Sequence, residues 1–424
     1  MKKLIAILVV FALVAGSIFA ADIGVDVFGN VVLADGSSEL DSAGDPAKPD
    51  ATASGGNGRI RISASAEKED GTFGGWLRFN AGSYGGGVDA FGYVWWKPID
   101  QFKFQIGTNG GDGEFALEGI TGWGFYCMPC EVIISNGNVW GWGGALANDG
   151  KSTRFRNAFY GGFNSGAILT ITPADMVAIN IGIPFYQGGK GEKIYKETTG
   201  QVAFDIEGIG KAGITYEGGM NEVNFDPANP ESFDGSGSKL FAYFGLSAVE
   251  NLGIDIGVGF TFPVKDDDLK LNYNAPVAIG LGASYNMDAF GVNFRAMVEV
   301  GGKRSGDAVK GYLNAFGDGD DSVSTPFAML LDVLPSFAVN DNLKVFLSFG
   351  LGMVGENKYK ANGADVKEDS LLTWHVEPYI VVGNQWSAAF YAGFRLESPT
   401  DKGGKKGEDS YINWSIPLGM TIGF

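Results

Sequence analysis

Tyr411-Ile-Asn-Trp-Ser-Ile-Pro-Leu-Gly-Met-Thr-Ile-Gly-Phe424 alternates strictly between apolar residues and polar or small ones. The apolar residues take every second position: Ile412, Trp414, Ile416, Leu418, Met420, Ile422 and Phe424. Because successive side chains of a strand point to opposite faces, the pattern predicts a β-strand with one apolar and one polar side. A half-buried strand of a soluble protein would alternate in the same way, so the rest of the chain has to decide.

The amino terminus has the pattern of a cleaved export signal. Lys2 and Lys3 precede an apolar run over 4–15, and small residues then predict cleavage before Ala21. Residues 1–20 are therefore expected to be a signal peptide. A retained membrane anchor is the alternative, but the run is shorter than the roughly 20 residues that a spanning helix needs.

Composition and charge narrow the classes of protein. The chain has 31 Lys and Arg against 49 Asp and Glu, a formal net charge of −18. Such an acidic chain argues against a nucleic-acid partner, which requires a basic surface. It also has 67 glycines in 424 residues, well above the usual share of roughly 7%. Abundant glycine and aromatic residues favour many strands and tight turns over helices.

Beyond residue 20, the sequence has no apolar run long enough for a membrane helix. An exported chain of this kind is expected to be periplasmic, secreted or barrel-forming. Only helices and closed barrels can cross lipid, because every backbone polar group must be satisfied internally.

Short turns alternate with long loops along the chain. Eight compact turn signals lie between alternating runs of residues, at 67–71, 97–100, 172–175, 207–210, 249–251, 286–288, 340–342 and 383–385. Longer polar segments separate the resulting hairpins, at 34–57, 187–199, 219–238, 265–274, 301–325, 355–370 and 398–410. Strands with short turns on one side and long loops on the other are typical of transmembrane barrels. A soluble β-sandwich is the alternative, although it would not sort its loops so regularly.

The pattern predicts an all-β, antiparallel transmembrane barrel of about 18 strands, with short periplasmic turns and long extracellular loops. A count of sixteen strands is the alternative, since residues 109–162 are difficult to divide into strands. The apolar faces are expected to meet lipid and the polar faces to line water. Aromatic residues beside the short turns are expected to lie at one membrane boundary: Trp95, Phe102, Tyr285, Phe290, Phe337 and Trp386.

The export signal, the alternating strands and the terminal Phe424 together resemble porin-like proteins of the bacterial outer membrane. The resemblance covers residues 21–424 as a single barrel domain. It implies an outer-membrane location in contact with lipid, with Phe424 read by the barrel-assembly machinery. It also implies a water-filled channel for small hydrophilic solutes or ions, often in a trimer, so a homotrimer is an open expectation.

Charged residues on the polar faces are candidates for the pore lining. The alternation along each strand (its parity) places these residues on the inward side: Arg59, Arg61, Arg78, Lys103, Arg295, Glu299, Asp332, Lys344 and Arg395. Opposed charges in a narrow pore create a transverse field that selects by charge and size. Solvated wall residues without a selective role are the alternative for each. Arg59 and Arg61 share one face of a strand and form the leading candidate for a basic patch.

Residues 109–162 are too long and too apolar for an ordinary exposed loop. By resemblance to porins, the segment is a candidate constriction loop that folds into the barrel. An additional wall hairpin near Glu131 is the alternative. Cys127 and Cys130 lie within it, and a small disulfide is expected because the export route is oxidising.

No catalytic residues, metal or organic cofactor are expected. His375 is the single histidine, which leaves a hydrolase site poorly supported, since such a site needs a nucleophile, a base and an orienting group. The acidic segments at 266–268 and 318–321 could bind calcium but lack a full EF-hand pattern. The competing function is that of a surface adhesin or structural barrel whose pore is plugged.

Overall fold

Nineteen strand segments form one sheet that closes on itself in this computed structural model. The structure describes residues 20–37, 54–81, 88–108, 165–185, 197–218, 223–226, 229–235, 238–262, 264–266, 271–274, 277–300, 303–305, 319–324, 327–354, 357–361, 364–368, 371–384, 388–397 and 412–423. In these ranges, no helix has the length and apolar character required to cross a membrane.

The first nine strands all belong to the barrel: Ala20–Ser37 (β1), Ser54–Glu67 (β2), Phe73–Ala81 (β3), Val88–Ile99 (β4), Phe102–Thr108 (β5), Ser165–Ala174 (β6), Val177–Pro184 (β7), Thr199–Ile206 (β8) and Gly210–Glu217 (β9). A separate hairpin follows, formed by Val223–Asp226 (β10) and Asn229–Gly235 (β11).

The second half of the chain alternates barrel strands with short segments of another sheet. The segments in chain order are Lys239–Val249 (β12), Leu252–Thr261 (β13), Val264–Asp266 (β14), Leu271–Asn274 (β15), Val277–Met287 (β16), Phe290–Val300 (β17), Lys303–Ser305 (β18), Gly319–Ser324 (β19), Phe327–Asn340 (β20), Leu343–Val354 (β21), Asn357–Ala361 (β22), Ala364–Glu368 (β23), Leu371–Asn384 (β24), Ala388–Gly393 (β25), Arg395–Glu397 (β26) and Asn413–Gly423 (β27).

The nineteen segments amount to an 18-strand barrel, because β25 and β26 are two pieces of one strand. Both pair with β24 and with β27. They are separated at Phe394, whose backbone N–H donates to the Pro378 carbonyl at 3.0 Å. Antiparallel pairing of β27 with β1, from Asp26 opposite Gly423 to Ser37 opposite Asn413, closes the barrel. The prediction of about 18 strands is confirmed.

The eight tight connections that the sequence predicts all join consecutive antiparallel barrel strands. Since every strand is antiparallel to its neighbours, these connections lie at one end of the barrel. Two of them contain a non-glycine residue in the left-handed region, Asn251 with φ 65° and Asp288 with φ 48°. Asn and Asp tolerate this conformation better than other residues, which allows so short a turn.

The apolar side of the strands faces outward. On β13, for example, Ile256 and Val258 are exposed, whereas Gly257 and Gly259, which alternate with them, are buried. The same contrast holds on β27, where Met420 is exposed and Ser415 is buried. A closed barrel with an exposed apolar exterior is stable in hydrocarbon, where its backbone groups are all paired between strands. The protein is therefore a closed antiparallel β-barrel whose apolar side faces outward.

The predicted aromatic boundary is correct in part. Tyr285, Phe290 and Phe337 are exposed on the outer surface beside the short turns. Phe102 shares the outward side of β5 with the exposed Phe104. The prediction for Trp95 is wrong: its neighbours Val94 and Trp96 are exposed on the outside, at 58% and 44%, so Trp95 faces inward. Trp386 lies outside the described residues.

Four of the segments predicted as long polar loops contain short hairpins, the separate hairpin β10–β11 among them. The hairpins β14–β15, β18–β19 and β22–β23 pair side by side into a six-stranded sheet. Each hairpin lies between two barrel strands in chain order. Unpaired backbone groups in an isolated hairpin are costly, and pairing with the neighbouring hairpins satisfies them.

Candidate functional site: the inner wall

The strand register brings several of the predicted pore residues into one row across the inner wall. Arg295 on β17 lies opposite Asp332 on β20, and Asp332 lies opposite Gly350 on β21. Gly350 in turn lies opposite His375 on β24, which is opposite Glu397 on β26. Sequence parity predicted that these side chains share the inward side. Their alignment depends on the register, which parity does not provide.

Arg395 is the centre of a buried ion network. Its Nη1 donates to Oε2 of Glu377 at 2.9 Å, and its Nε donates to Oε2 of Glu397 at 2.8 Å. Arg395 is only 2% exposed and Glu377 only 4%. A buried charge requires a partner, because desolvation is otherwise very unfavourable. The two carboxylates therefore fix the guanidinium in the wall.

The network does not satisfy all its polar atoms within the protein. Asp332 Oδ1, Glu377 Oε1 and Arg395 Nη2 are buried without a hydrogen-bond partner among the described residues. Asp332 is itself 3% exposed. Polar atoms of this kind are costly to bury, so the network is sensitive to the loss of any member.

A serine–histidine pair lies beside the network. Ser348 Oγ and His375 Nε2 are 3.1 Å apart, and both residues are buried. The imidazole ring lies over Gly350, where an added Cβ would be 2.1 Å from Cε1 of the ring. A hydrolase would need solvent access for the serine and an acid on the other ring nitrogen. The contact resembles wall packing more than a nucleophile and its base.

Below this row, towards the short turns, the inward side becomes apolar. Six buried side chains form one cluster: Leu334, Phe346, Tyr379, Val381, Ala389 and Tyr391. The rings of Phe346 and Tyr379 stack with centroids 4.7 Å apart and planes 8° apart. The sequence predicted a polar, wet face here, and for this part of the wall that prediction is wrong. Tyr379 and Val381 provided a signal, since both parities of β24 are apolar at this end.

A second group of predicted residues lies on β2 to β5. Arg61 Nε donates to Asn80 Oδ1 at 3.1 Å and is 3.7 Å from Asp26 Oδ2. Arg78 and Lys103 lie over aromatic rings on the same inward side. Arg59 belongs to the inward parity of β2, but its side chain lies outside the described part of the structure. Arg61, Arg78 and Lys103 are half-buried, unlike Arg395.

A buried amide ladder crosses β7, β8 and β9. Asn180 Nδ2 donates to Gln201 Oε1 at 2.9 Å, and Gln201 Nε2 donates to Thr215 Oγ1 at 2.9 Å. Sequence analysis missed this ladder because neutral side chains gave no charge signal. Alternation alone could have found its members, since each lies between outward apolar residues.

The remaining predicted residues are dispersed or outside the described residues. Lys344 is exposed on the inward side of β21, near the short turns. Glu299 has inward parity on β17, but its side chain is not described. The predictions on 109–162, Cys127, Cys130 and Phe424 fall outside the described residues. Within the described ranges, no group of three or more His, Cys, Asp or Glu residues is arranged to hold a metal ion.

The turn between β2 and β3 contains a perturbed carboxylate. Asp70 Oδ1 accepts hydrogen bonds from Thr72 N at 3.0 Å and Thr72 Oγ1 at 2.6 Å, and Lys68 pairs with the other oxygen. These hydrogen bonds lower the pKa of Asp70 from 3.8 to about 2, with the largest effect from Lys68 and the next from Thr72. Hydrogen bonds to the charged form of a carboxyl favour that form.

Comparison with known proteins gives only remote likenesses. No protein-family model and no curated protein matches the chain. Among solved structures, OpdQ of Pseudomonas aeruginosa has 10% identity and a TM-score of 0.48, covering 96% of this chain and 98% of its own. The anion-selective porin from Comamonas acidovorans has 13% identity and a TM-score of 0.46, covering 96% and 100%. A trimeric form of OmpT, an outer-membrane protein of Vibrio cholerae, has 11% identity and a TM-score of 0.41, covering 95% and 99%.

Proposed function

We propose that the protein is an outer-membrane porin through which small hydrophilic solutes or ions diffuse passively. One observation carries the proposal: the barrel has 18 strands, with apolar side chains outside and glycine, polar and charged side chains inside. Barrels of about 8 strands are filled by their own side chains, whereas porins of 16–18 strands leave an aqueous channel. The proposal needs no catalytic group and no cofactor.

Selectivity in this proposal comes from the charged inner wall. Arg59, Arg61, Arg78 and Lys103 supply positive charge on one part of the wall, and Lys344 supplies it near the short turns. Arg295, Glu299, Asp332 and Arg395 belong to a mixed-sign part. Residues 109–162 are the proposed constriction, with Cys127 and Cys130 joined in a disulfide. Charges of opposite sign that face a narrow lumen filter solutes by charge and size.

Assembly is part of the same proposal. Phe424 ends the closing strand and is the proposed signal for the barrel-assembly machinery. A homotrimer is the proposed oligomer, by resemblance to porins. Size-exclusion chromatography with light scattering in detergent would test it, and a monomeric mass would contradict it.

A plugged adhesin or structural barrel is the second candidate. The buried apolar cluster around Phe346 and Tyr379 favours it, because a wide, water-filled lumen would leave these inward side chains exposed. In this alternative the long loops would bind a surface partner, and the lumen would not conduct.

Planar bilayers distinguish the two candidates. Folded protein is expected to give discrete steps of ionic conductance if the lumen is open. Absence of conductance from a sample with a folded, detergent-resistant barrel would contradict the porin and favour the plugged barrel. Heat-dependent electrophoretic migration provides the control for folding.

The charge filter has its own test in the double substitution Arg59→Glu and Arg61→Glu. It replaces positive charge with negative charge on one face of β2, so the reversal potential in a salt gradient is expected to shift towards cation selectivity. Ser247→Glu, at an exposed residue beside the short turn between β12 and β13, is a control for added negative charge on another part of the barrel. An unchanged reversal potential in the double variant would remove these arginines from the limiting section.

A further inference from the structure

The inward side of β4 carries an aromatic residue at three successive inward positions, Phe91, Tyr93 and Trp95. Trp76 on β3 lies directly opposite Tyr93. Inward rings occur elsewhere in the wall, as at Phe346 and Tyr379, but those are buried in an apolar cluster, whereas Tyr93 and Trp95 are half-buried. Large rings on the side that faces the lumen therefore need an explanation other than contact with lipid.

The rings form a continuous row along the wall. The centroids of Trp76 and Tyr93 are 5.4 Å apart, and those of Tyr93 and Trp95 are 6.1 Å apart. Trp95 lies opposite Gly74 in the register. A Cβ on Gly74 would be 1.9 Å from Cζ2 of Trp95, so the absence of a side chain lets the indole lie against the backbone of the wall. The other face of the indole is then turned away from the wall.

Each end of the row has a cation. Cζ of Arg78 lies 4.6 Å from the ring centroid of Trp76, and Nζ of Lys103 lies 5.3 Å from that of Trp95. Both distances are within the roughly 6 Å range of a cation–π contact. We call Trp76, Tyr93, Trp95, Arg78 and Lys103 the aromatic track.

The aromatic track leads to a cavity at the short-turn rim. The cavity has a volume of about 640 Å³, within the range of about 300–1,000 Å³ that is typical of small-molecule sites. Trp95 and Lys103 line it together with carboxylates, a second ammonium group and hydroxyl groups, from Glu67, Asp70, Asp100, Lys97, Thr170 and Thr172. Lys97 and Asp100 form an ion pair at 3.1 Å.

We infer that the aromatic track and this cavity form a binding site for carbohydrate on its way through the lumen. Pyranose rings present apolar C–H faces that can cover indole and phenol rings. Their hydroxyl groups both donate and accept hydrogen bonds, which matches a lining that mixes carboxylates, ammonium groups and hydroxyls. Sites for small molecules generally combine apolar and aromatic surface with a few placed polar groups.

The charge of the lining favours a neutral solute over an anion. Three carboxylates, from Glu67, Asp70 and Asp100, face two ammonium groups, from Lys97 and Lys103. At the cavity Asp70 is paired with Lys68 and Asp100 with Lys97, so a planar anion would gain little there from the ammonium groups. A neutral sugar does not depend on a net positive charge at the track or at the cavity. Three rings in a row also predict that a linear trisaccharide binds better than a monosaccharide.

The inference rests on the proposed porin function, because the solute reaches the track through the lumen. The experiment measures the block of ionic current through single channels by glucose and by cellotriose. Cellotriose is expected to bind more tightly than glucose. Trp95→Leu is expected to raise the dissociation constant for cellotriose about 2- to 10-fold, the range that corresponds to one aromatic contact.

Trp96→Leu is the matched control. It removes the same side chain from the next residue of the strand, where the indole faces outward and stacks on Phe73. Its current block is expected to equal that of the unaltered protein. Gly74→Ala is a second variant, which displaces the Trp95 ring without removing it and is expected to weaken the block as well.

Failure of the inference can be distinguished from failure of the porin proposal. Conductance that neither sugar blocks, or equal block in the Trp95→Leu variant, would overturn the carbohydrate site and leave the porin intact. Block by benzoate but by neither sugar would overturn it in favour of a planar anion. If the folded barrel does not conduct, saturation-transfer NMR with cellotriose in detergent tests the site directly, and binding that depends on Trp95 would support it.

Discussion

Two parts of the inner wall present their charges in different ways. On β20 to β26, which we call the closed flank, Arg395 is 2% exposed and two carboxylates hold it. On β2 to β5, which we call the open flank, Arg61 has a side-chain exposure of 23% and Arg78 and Lys103 lie over half-buried rings. The strands of both flanks alternate between outward apolar residues and inward residues, and in both flanks the charged side chains occupy inward positions.

This difference shows that a side chain can point inward without contacting water. In the closed flank the charges compensate one another and pack beside the Phe346–Tyr379 stack. Their principal effect is on the stability of the wall, since a buried ion pair is costly to break. In the open flank the charges remain accessible and can act on a passing solute. Substitutions should therefore change stability in the first flank and conduction or solute binding in the second.

The largest effect is expected for Arg395→Met. It leaves Glu377 and Glu397 close together with Asp332 nearby and no buried cation between them, a loss of about 3–5 kcal/mol in the free energy of unfolding. Arg78→Met in the open flank is the matched control. It removes a cation–π contact at a partly exposed site, with an expected loss of about 0.5–1 kcal/mol. Urea titrations of the barrel in lipid vesicles measure both.

The combined variant Arg395→Met, Glu377→Gln and Glu397→Gln sharpens this result. Removing the whole set of charges eliminates the uncompensated carboxylates, so much of the lost stability should return. Equal losses for Arg395→Met and Arg78→Met would mean that the two flanks do not differ in the way described.

An intermediate effect is expected for Gly350→Ala. The new Cβ would overlap the His375 ring, which is buried and hydrogen-bonded to Ser348, so overpacking should cost about 1–3 kcal/mol. Gly74→Ala places a Cβ against the far end of Trp95 in the open flank. That ring can move towards the lumen, and a change within about 0.5 kcal/mol is expected.

Gly200→Ala provides the reference for both, because an added Cβ there has no neighbouring atom within 4 Å. The same urea titrations apply. A loss for Gly74→Ala as large as that for Gly350→Ala would contradict the difference in mobility between the two rings.

The smallest effect is expected at Asp70, in the turn at the rim of the open flank. Its folded pKa of about 2 lies below the ordinary value of 3.8, so its contribution to stability is present above pH 3.8 and is lost as the pH falls towards 2. Asp70→Asn should reduce the loss of stability between these pH values. Unfolding midpoints at pH 5 and pH 2.5 test this, with Asp175→Asn in another short turn as the control. Identical pH dependence in the two variants would contradict the prediction.

Errors in the sequence analysis fall where a neighbour decides the environment of a residue. Trp95 looked like a boundary aromatic because it lies close to a turn, but parity with Val94 and Trp96 places it inside. Tyr379 and Val381 belong to the face predicted to be wet, and they are buried in an apolar cluster. Parity along its own strand gives the direction of Trp95, whereas the burial of Tyr379 and Val381 also depends on the strands beside theirs. What lies across the wall determines whether an inward side chain contacts water or another side chain.

The sequence by itself determined the barrel and the inward or outward direction of most wall residues, and it favoured 18 strands while leaving 16 open. These follow from local rules: side chains alternate along a strand, and turns of Asn, Asp and Gly end each strand at a fixed point. Only the tertiary structure decided that Arg395 meets Glu377 and Glu397, and that Trp76, Tyr93 and Trp95 form one row. Those contacts depend on the register between strands, and register is a property of pairs of strands that no single strand contains.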